Sequence, residues 1–390
     1  MRILNVFDGD YPWDVRVEKC VRALAARGHE VSILARNRGN RPRRERLVNA
    51  ELWRLPHARR FDRIVSFPAF FNPIWMREAL RAARHVRPDR ILVRDLPLAP
   101  LGLWLGRRSQ CPVVVDMAEP YPEALRSNWQ FDNLGGLDHV LRNPRFADAV
   151  ERWVVRRAPR TLVVSDEAGA RLERIGLPRH RWTLVGNTPE LNHLGNGLDG
   201  SPQLPERFRH RRLLIFTGIL VGDRGIDVAL RGLARLSDDV AMLVIGEGPA
   251  RSRFEREAQR WGVESRVHFS GWLPHDQLPL YWRVADLGLL PFHRCTHIDT
   301  TLANKLFDYM SVGLPVLASD ATPMVRVLRE TGAGVTFRSG SAEDFASVLA
   351  GLLDNPRATR EMGERGYRAV QATYNWTRDA ERLIQAVEHP

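Results

Sequence analysis

Short apolar runs alternate with segments of helical periodicity along the whole chain. The runs, such as Leu213–Phe216, are continuous, which predicts parallel strands that are covered on both faces. Between Asp14 and Gly28 apolar residues recur three and four positions apart, which predicts a helix capped by the aspartate and ended by the glycine. Strands are predicted near residues 2–7, 30–35, 91–94, 112–116, 161–165, 182–186, 213–217, 240–245, 266–269, 286–290, 315–318 and 334–337.

Strands that alternate with helices favour an α/β fold with parallel sheets joined by right-handed crossovers. Residues 190–208 are dense in Gly, Pro and Asn and are typical of a linker. We therefore expect two doubly wound domains, at 1–195 and 205–375, with a deep cleft between the facing carboxyl ends of their strands. The amphipathic segment 376–390 is expected to pack back on the first domain.

The composition excludes several classes of protein. Hydrophobic residues make up 44% and charged residues 27% of the 390 residues, as in globular rather than disordered or fibrous chains. Apolar runs are too short to span a bilayer, and no signal peptide is expected at the start of the chain. Three widely spaced cysteines fit a reducing, cytoplasmic compartment.

The net charge of +12 comes from the first part of the chain. Residues 1–110 hold 23 basic and 11 acidic side chains, and the remainder is balanced. The densest basic stretch, 41–63, is followed by the aromatic residues Phe67, Phe70, Phe71 and Trp75. Such a face can dock on anionic lipid headgroups, and the alternative is a solvated arginine-rich loop. Nucleic acid is the least favoured of the three interpretations, and no nucleic-acid partner is expected.

The most informative stretch is 300–316. Gly313 and Pro315 end a helix that is predicted to start near Thr301, with Lys305 and Asp308 on the same polar stripe. Free amides at the start of a helix favour an anion, and Lys305 adds a full positive charge, while Asp308 is placed to bind a ribose diol. The alternative is a surface helix with a weak lysine–aspartate pair.

Two further loops leave predicted strands. Residues 218–225 lead from a strand into a helix and carry Arg224, which suits bidentate contact with a diphosphate. Residues 246–249 form a Gly-rich turn, but Arg251 stands where a dinucleotide fingerprint has its third glycine, which argues against a dehydrogenase.

These stretches resemble the retaining glycosyltransferases of family 4, which have the GT-B fold of two facing Rossmann-like domains. The resemblance covers nearly the whole chain and is strongest from 213 to 337. It is carried by Asp8–Pro12, Asp14–Arg16, Leu24–Val31, Thr217–Gly225, Gly246–Pro249, Val267–Trp272, Ala285–Pro291, Asn304–Tyr309 and Gly313–Val316.

The resemblance implies roles for single residues. Arg224 stands where the family places a Lys or Arg on the donor diphosphate, and Lys305 falls at the phosphate-binding helix start. Asp308 matches the second acidic position of the family's Glu-x7-Glu motif, which holds the ribose, but Thr300 replaces the first acid. The expected donor-binding residues are Gly9, Gly218, Arg224, Gly246, Thr300, Thr301, Lys305 and Asp308.

The stretch after strand 112–116 resembles the family's Asp-x-His-Asp/Glu pattern, with Ala118 in place of the histidine. Asp116 and Glu119 are the candidate catalytic residues that would position the acceptor hydroxyl, and the alternative for Asp116 is to cap the following turn. Residues 8–10 also match a metal-binding Asp-x-Asp motif. Helix N-termini and basic side chains can neutralise a diphosphate, however, so neither a metal nor a cofactor is expected.

The resemblance implies an enzyme that transfers a sugar, with retention, from a nucleotide-diphosphate donor to a hydroxyl of a saccharide or lipid-linked acceptor. Cell-envelope or exopolysaccharide synthesis is the expected setting, in the cytoplasm or peripheral to the inner face of the membrane. Two alternatives remain: a nucleotide-sugar epimerase or hydrolase on the same fold, and a degenerate, non-catalytic nucleotide-binding homologue. Thr300 and Ala118 argue against the first, because it would need additional carboxylates and histidines.

Overall fold

The protein is described by a computed structural model that covers residues 1–12, 14–57, 72–131, 143–191 and 200–390. The chain divides into two compact units. The first unit comprises Met1–Leu125, Gly135–Gly186 and Asp379–Pro390, and the second comprises Arg126–Leu134 and Asn187–Arg378. The division after Gly186 precedes the expected linker, of which residues 192–199 lie outside the described part of the chain.

The first unit is built on a sheet whose strands follow the continuous apolar runs. These strands are β1 (Arg2–Asp10), β2 (Glu30–Arg36), β3 (Arg44–Arg46), β4 (Glu51–Arg54), β5 (Arg90–Arg94), β6 (Val113–Met117), β7 (Arg160–Val163) and β8 (Trp182–Leu184). Within the described residues their order is β3-β4-β2-β1-β5-β6-β7-β8, and the pairings are parallel apart from β3 with β4. The order reverses between β1 and β5, so their carboxyl ends border a switch point, where open α/β sheets bind ligands.

Helices connect these strands. They are α1 (Val15–Ala26), α2 (Pro73–Val86), α3 (Ala99–Ser109), α4 (Tyr121–Phe131), α5 (Pro144–Val155) and α6 (Asp166–Arg174). Helix α1 begins as the sequence predicts, because Asp14 Oδ1 accepts hydrogen bonds from the backbone N–H groups of Arg16 and Val17 at 3.1 and 2.9 Å. The last residues of α4, from Arg126 onward, group with the second unit.

The second unit contains a fully parallel sheet among its described residues. Its strands are β9 (Arg212–Thr217), β10 (Val240–Ile245), β11 (Val267–Gly271), β12 (Leu287–Leu290), β13 (Val316–Ser319) and β14 (Gly334–Phe337). Their order is β11-β10-β9-β12-β13-β14, so the switch point of this sheet lies between β9 and β12. The helices of this part of the chain are α7 (Ile226–Leu233), α8 (Arg251–Arg260), α9 (Leu278–Val284), α10 (Asn304–Ser311), α11 (Thr322–Thr331), α12 (Ala342–Asp354), α13 (Pro356–Ala372) and α14 (Trp376–Glu388).

From Asp379 onward, helix α14 groups with the first unit. The guanidinium of Arg90 donates hydrogen bonds to the carbonyl groups of Val387 and Glu388 at 2.9 and 3.0 Å. These bonds satisfy carbonyl groups of the last helical turn, which have no partner inside the helix. Within the described residues, no helix combines the length and the apolar character that crossing a membrane requires.

Four elements differ from the sequence-based predictions. Strands β3 and β4 were not predicted, because charged residues interrupt the apolar pattern at this edge of the sheet, where they discourage pairing with other chains. Strand β1 extends to Asp10, so Gly9 lies in a strand rather than in the loop after it. Helix α10 begins at Asn304 and not near Thr301, because Thr300 and Thr301 donate their N–H groups to His297 in a preceding turn.

Candidate active site

The switch point of the second unit is where two loops pack backbone against backbone. Strand β9 leads into the loop that ends at Gly225, and β12 leads into Pro291. Gly225 has a φ of +66°, and a Cβ atom placed there would lie 1.9 Å from the carbonyl oxygen of Pro291. A side chain at this position is therefore excluded, and the loop is held against the end of β12.

The glycines Gly218 and Gly246, predicted to bind the donor, lie at the carboxyl ends of β9 and β10. Gly246 has a φ of +147°, and a Cβ atom there would lie 1.8 Å from the carbonyl oxygen of Gly218. The two turns therefore touch, which leaves a backbone surface that a ligand can approach closely.

Arg224 ends a short 3-10 turn, Gly222–Arg224, beside this switch point. One quarter of its side chain is exposed, its Nη1 lies 3.3 Å from Asp223 Oδ1, and its guanidinium lies 5.1 Å from the ring centre of Phe292. The guanidinium is thus held on one side and reaches solvent on the other. This geometry suits contact with an anion.

Asp223 anchors the turn that carries Arg224. Its Oδ2 accepts a hydrogen bond from Ser127 Oγ at 2.8 Å, and His297 Nδ1 lies 3.6 Å away. Burial alone would raise the pKa of this carboxyl, but His297, Arg224 and Ser127 together lower the pKa to about 2. Asp223 is therefore ionised at neutral pH and holds the turn through charged interactions.

Helix α10 connects β12 to β13, so its N-terminus follows the carboxyl end of β12, one of the two strands at the switch point. Within the described residues no side chain caps this end, since the N-cap residue is Ala303. Lys305 lies in the first turn, where a cation is unfavourable unless an anion is nearby. Its Nζ lies 2.9 Å from Asp308 Oδ2 and 5.4 Å from the ring centre of Trp282. The structure therefore contains the lysine–aspartate pair that the sequence analysis gave as the alternative to a ligand site.

Tyr309 fixes the position of α10 relative to β9. Its hydroxyl oxygen accepts a hydrogen bond from the backbone N–H of Thr217 at 3.0 Å and lies 3.2 Å from Thr217 Oγ1. The ring is fully buried, and burial raises the pKa of this phenol. This contact ties α10, the helix that also carries Lys305 and Asp308, to the carboxyl end of β9.

Thr300 is buried, and its hydroxyl donates a hydrogen bond to the carbonyl oxygen of Thr296 at 2.7 Å. The neighbouring carboxylate, Asp299, accepts hydrogen bonds from the guanidinium of Arg294 and from the N–H of Thr322, which begins α11. Thr301 lies in the segment before α10. Thr300, which stands at the first acidic position of the Glu-x7-Glu motif, thus uses its hydroxyl within the turn before α10, and Asp299 is engaged at the start of α11.

In the first unit, Asp116 lies at the carboxyl end of β6 and is buried. Both of its carboxylate oxygens accept hydrogen bonds from Arg16, at 2.7 and 2.8 Å. This bidentate pair differs from the predicted acceptor contact and from the predicted turn cap, and it favours a structural role for Asp116. Glu119, two residues beyond β6, is exposed and stays a candidate for acceptor contact.

Residues 8–10 form internal contacts at the end of β1. Asp8 Oδ1 accepts a hydrogen bond from Arg36 at 2.6 Å, and Asp10 Oδ1 accepts one from the N–H of Arg38 at 2.8 Å. A Cβ atom on Gly9 would meet the ring of Phe7. In the described ranges, no cluster of three or more His, Cys, Asp or Glu side chains is arranged to hold a metal ion.

The basic stretch 41–63 is described only up to residue 57, and Phe67, Phe70 and Phe71 also lie outside the described residues. Trp75, which was expected on an exposed aromatic face, is fully buried in the core of the first unit. Arg54 is buried and pairs with Glu45 at 2.6 Å. The described part of the stretch therefore does not support binding to a membrane surface.

Sequence reasoning missed Arg94 and Asp95, which follow the apolar run of β5 at the switch point of the first sheet. The signal that could have identified them is a charged pair directly after a buried strand, because ligands bind at the carboxyl ends of parallel strands.

Comparison with known proteins identifies the family. The family model described as "Glycosyl transferase 4-like domain" matches residues 14–188, and the one described as "Glycosyl transferases group 1" matches residues 203–369. The 2-deoxystreptamine glucosyltransferase of Streptomyces kanamyceticus is 24% identical over 53% of this chain and 54% of its own length. The D-inositol 3-phosphate glycosyltransferase of Thermomonospora curvata is 24% identical over 63% of this chain and 58% of its own length. The chain thus spans little more than half the length of these curated relatives.

Solved structures share the fold over the whole chain. Sucrose-phosphate synthase from Thermosynechococcus elongatus has a TM-score of 0.76 at 18% identity and covers 98% of this chain and 97% of its own. HepE of Anabaena, solved in complex with UDP-glucose, has a TM-score of 0.72 at 12% identity and covers 100% of this chain and 99% of its own. Family models match both halves of the chain, and the two-unit α/β fold is shared with sucrose-phosphate synthase. The chain therefore belongs to the group 1 glycosyltransferases of the GT-B fold.

Proposed function

We propose that the protein is a retaining glycosyltransferase that moves a sugar from a nucleotide-diphosphate donor to an acceptor hydroxyl. The observation that carries this proposal is the arrangement at the β9–β12 switch point. Arg224 lies in the loop after β9, and Lys305 lies in the first turn of α10, which the Tyr309 hydroxyl ties to Thr217 at the end of β9. The Asp308 carboxylate lies in the next turn of the helix. Two cations and an uncapped helix N-terminus after adjacent strands support a diphosphate site at this edge of the sheet.

Binding of the donor would replace the contact between Lys305 and Asp308 with contacts to the donor. Its diphosphate would take the Lys305 ammonium from Asp308, and the freed carboxylate would accept hydrogen bonds from the ribose hydroxyls. Arg224 would bind the same diphosphate from the β9 side. These charges neutralise the leaving group without a metal ion, so we propose metal-independent transfer with no cofactor.

Retention of the anomeric configuration is part of this proposal and is supported by the resemblance to the retaining glycosyltransferases of family 4. We infer front-face departure of the diphosphate: the bond from the anomeric carbon to the diphosphate oxygen breaks as the acceptor oxygen bonds to that carbon. The acceptor proton passes to the departing diphosphate oxygen. The protein chiefly positions the reactants and stabilises the negative charge that develops on the leaving group.

The relatives suggest the classes of substrate. HepE was solved with UDP-glucose, and a relative from Mycolicibacterium smegmatis is named a GDP-mannose-dependent mannosyltransferase acting on a phosphatidylinositol monomannoside. WaaG, which shares the fold with a TM-score of 0.70, is described as involved in lipopolysaccharide biosynthesis. We therefore propose a UDP- or GDP-linked hexose as donor and a saccharide or glycolipid of the cell envelope as acceptor.

A donor panel tests this proposal. Purified protein is incubated with UDP-glucose, UDP-galactose, UDP-N-acetylglucosamine or GDP-mannose, each with D-inositol 3-phosphate, 2-deoxystreptamine or glycolipid acceptors. Release of nucleoside diphosphate is measured, and NMR determines the anomeric configuration of the product. We expect acceptor-dependent release and an α-linked product from an α-linked donor. Inversion would contradict the mechanism, and nucleotide binding without turnover would favour the non-catalytic alternative.

Two variants test whether Lys305 and Arg224 bind the diphosphate. Lys305→Gln and Arg224→Gln should each weaken binding of the nucleoside diphosphate about tenfold or more, because each removes a charge-assisted contact. Arg357→Gln is the matched control, because Arg357 lies in α13 with 95% of its side chain exposed. Unchanged affinity in the first two variants, measured by calorimetry, would contradict the proposed diphosphate site.

A further inference from the structure

Asp95 has a backbone conformation that its residue type rarely adopts. It follows β5 directly, with a φ of +62° and a ψ of 165°, a region that is occupied almost entirely by glycine. Its N–H donates a hydrogen bond to the carbonyl oxygen of Asp116 at 2.8 Å, which ties this conformation to the neighbouring strand β6. Strain of this kind persists where surrounding structure imposes it, and it concentrates at functional sites.

The side chains of Arg94 and Asp95 carry hydrogen-bonding capacity that the described residues do not use. Arg94 Nε and Nη1 and Asp95 Oδ1 are buried and have no hydrogen-bond partner within the described part of the chain. The carboxylate oxygens of Asp95, Asp14 and Asp116 lie 3.4, 3.6 and 3.9 Å from Arg94 nitrogens, longer than good hydrogen bonds. Such unmatched groups are rare in proteins and call for an explanation.

Asp95 also reaches solvent and is poised to titrate. One quarter of its side chain is exposed, at the carboxyl end of β5. Burial, assisted by Asp116 and Glu119 and opposed by the cations Arg94 and Arg16, raises the pKa of its carboxyl to about 7. A protonated carboxyl group can donate a hydrogen bond to a hydroxyl group, and the ionised form can accept one from it.

We propose that Asp95 binds a hydroxyl group of the acceptor at the switch point between β1 and β5, and that Arg94 positions it. A polyol fits this pair because a hydroxyl both donates and accepts, and so matches an adjacent guanidinium and carboxyl. This inference rests on the proposed function and adds to it a specific acceptor-binding residue. The sequence analysis predicted Asp116 as an acceptor contact, but Arg16 binds both of its carboxylate oxygens, and we assign this contact to Asp95 instead.

Two substitutions separate an acceptor-binding role from a structural one. Asp95→Asn keeps the shape and tolerates a positive φ, but it replaces a carboxylate with a neutral amide, which accepts weaker hydrogen bonds. Asp95→Gly removes the side chain and also the backbone strain. We expect both variants to raise the KM for the acceptor at least tenfold with unchanged affinity for the nucleoside diphosphate. Asp95→Gly should at the same time raise the Tm. A residue with only a structural role would give the same Tm increase and leave the KM unchanged, which would overturn the inference.

Asp89→Asn is the matched control, because Asp89 is a half-exposed carboxylate just before β5. It should leave the acceptor KM unchanged. Binding of D-inositol 3-phosphate and 2-deoxystreptamine, followed by ligand-detected NMR, makes the test independent of turnover. If the wild type shows no turnover, the proposed function fails, but loss of probe binding in both Asp95 variants still supports the inference. Equal binding of the probes to wild type and both variants, or no binding to the wild type, overturns it.

Discussion

The role of a charged residue in this protein depends on partners that are distant in sequence. Asp116 follows a buried strand, which made it a reasonable candidate for acceptor contact, but Arg16 occupies both of its oxygens from 100 positions away. Lys305 and Asp308 are three residues apart, and their pairing was one of two outcomes that the sequence allowed. Local spacing therefore identified these side chains but not their partners.

The stability of the protein should depend on pH through Asp95. The pKa of its carboxyl is raised in the folded state, from 3.8 to about 7, so the folded protein binds this proton more tightly than the unfolded chain. Ionisation of Asp95 therefore costs stability increasingly as pH rises from about 4 to about 7. Relative to Asp95→Asn, the wild type should lose stability between pH 5 and pH 8, measured as the urea midpoint.

Asp89 is the control for this pH dependence, because the pKa of its carboxyl is lowered in the folded state whereas the pKa of Asp95 is raised. Hydrogen bonds from Arg2 lower the pKa of its carboxyl, so its contribution is present at neutral pH and is lost only as pH falls through the lowered folded-state pKa. The difference between wild type and Asp89→Asn should stay constant from pH 5 to pH 8. A constant difference for Asp95→Asn as well would contradict the raised pKa of Asp95.

Among the helices and strands, α10 matters most to the proposed donor site, because it carries both Lys305 and Asp308. Sequence periodicity predicted this helix and its stop at Gly313, but it placed the start near Thr301. In the structure the helix starts at Asn304, because the N–H groups of Thr300 and Thr301 donate to the carbonyl oxygen of His297 in the turn before it. Lys305 consequently lies in the first turn instead of one turn inside the helix.

Removing the anchor of α10 should weaken donor binding. Tyr309→Phe leaves the buried N–H of Thr217 without its acceptor, which should cost about 1–3 kcal/mol of the free energy of unfolding. The displaced helix should also bind nucleoside diphosphate several-fold more weakly in calorimetry. Tyr374→Phe is the control, because that hydroxyl binds the exposed Glu330, and it should cost less than about 0.5 kcal/mol. Equal effects of the two variants would contradict an anchoring role.

At the scale of the whole molecule, each unit has one switch point, and the two carry different chemistry. The second unit carries Arg224 in the loop after β9 and carries Lys305 and Asp308 in α10, the helix between β12 and β13, whereas the first carries Arg94 and Asp95 at the end of β5. The excess of positive charge in the second set agrees with the proposed diphosphate donor, and the adjacent guanidinium and carboxyl of the first unit agree with the proposed hydroxylated acceptor.

Hydrogen–deuterium exchange can locate the donor on the whole chain. With saturating UDP or GDP, whichever binds, we expect slower exchange in residues 218–225, 246–249 and 300–308, because ligand contacts reduce local opening. Peptides covering residues 94–98 should exchange unchanged with nucleotide alone. Protection confined to the first unit would contradict the assignment of the donor to the second.

The alternation of strands and helices, the glycine turns and the basic residues near them could all be predicted from the amino-acid sequence. These features depend on local hydrophobic period and on the backbone freedom of single residues. Three other features arise only when the chain is folded: the pair between Asp116 and Arg16, the burial of Trp75, and the positive φ of Asp95 beside unmatched polar atoms. Those outcomes depend on which distant segments the fold brings together, and local pattern carries no information about them.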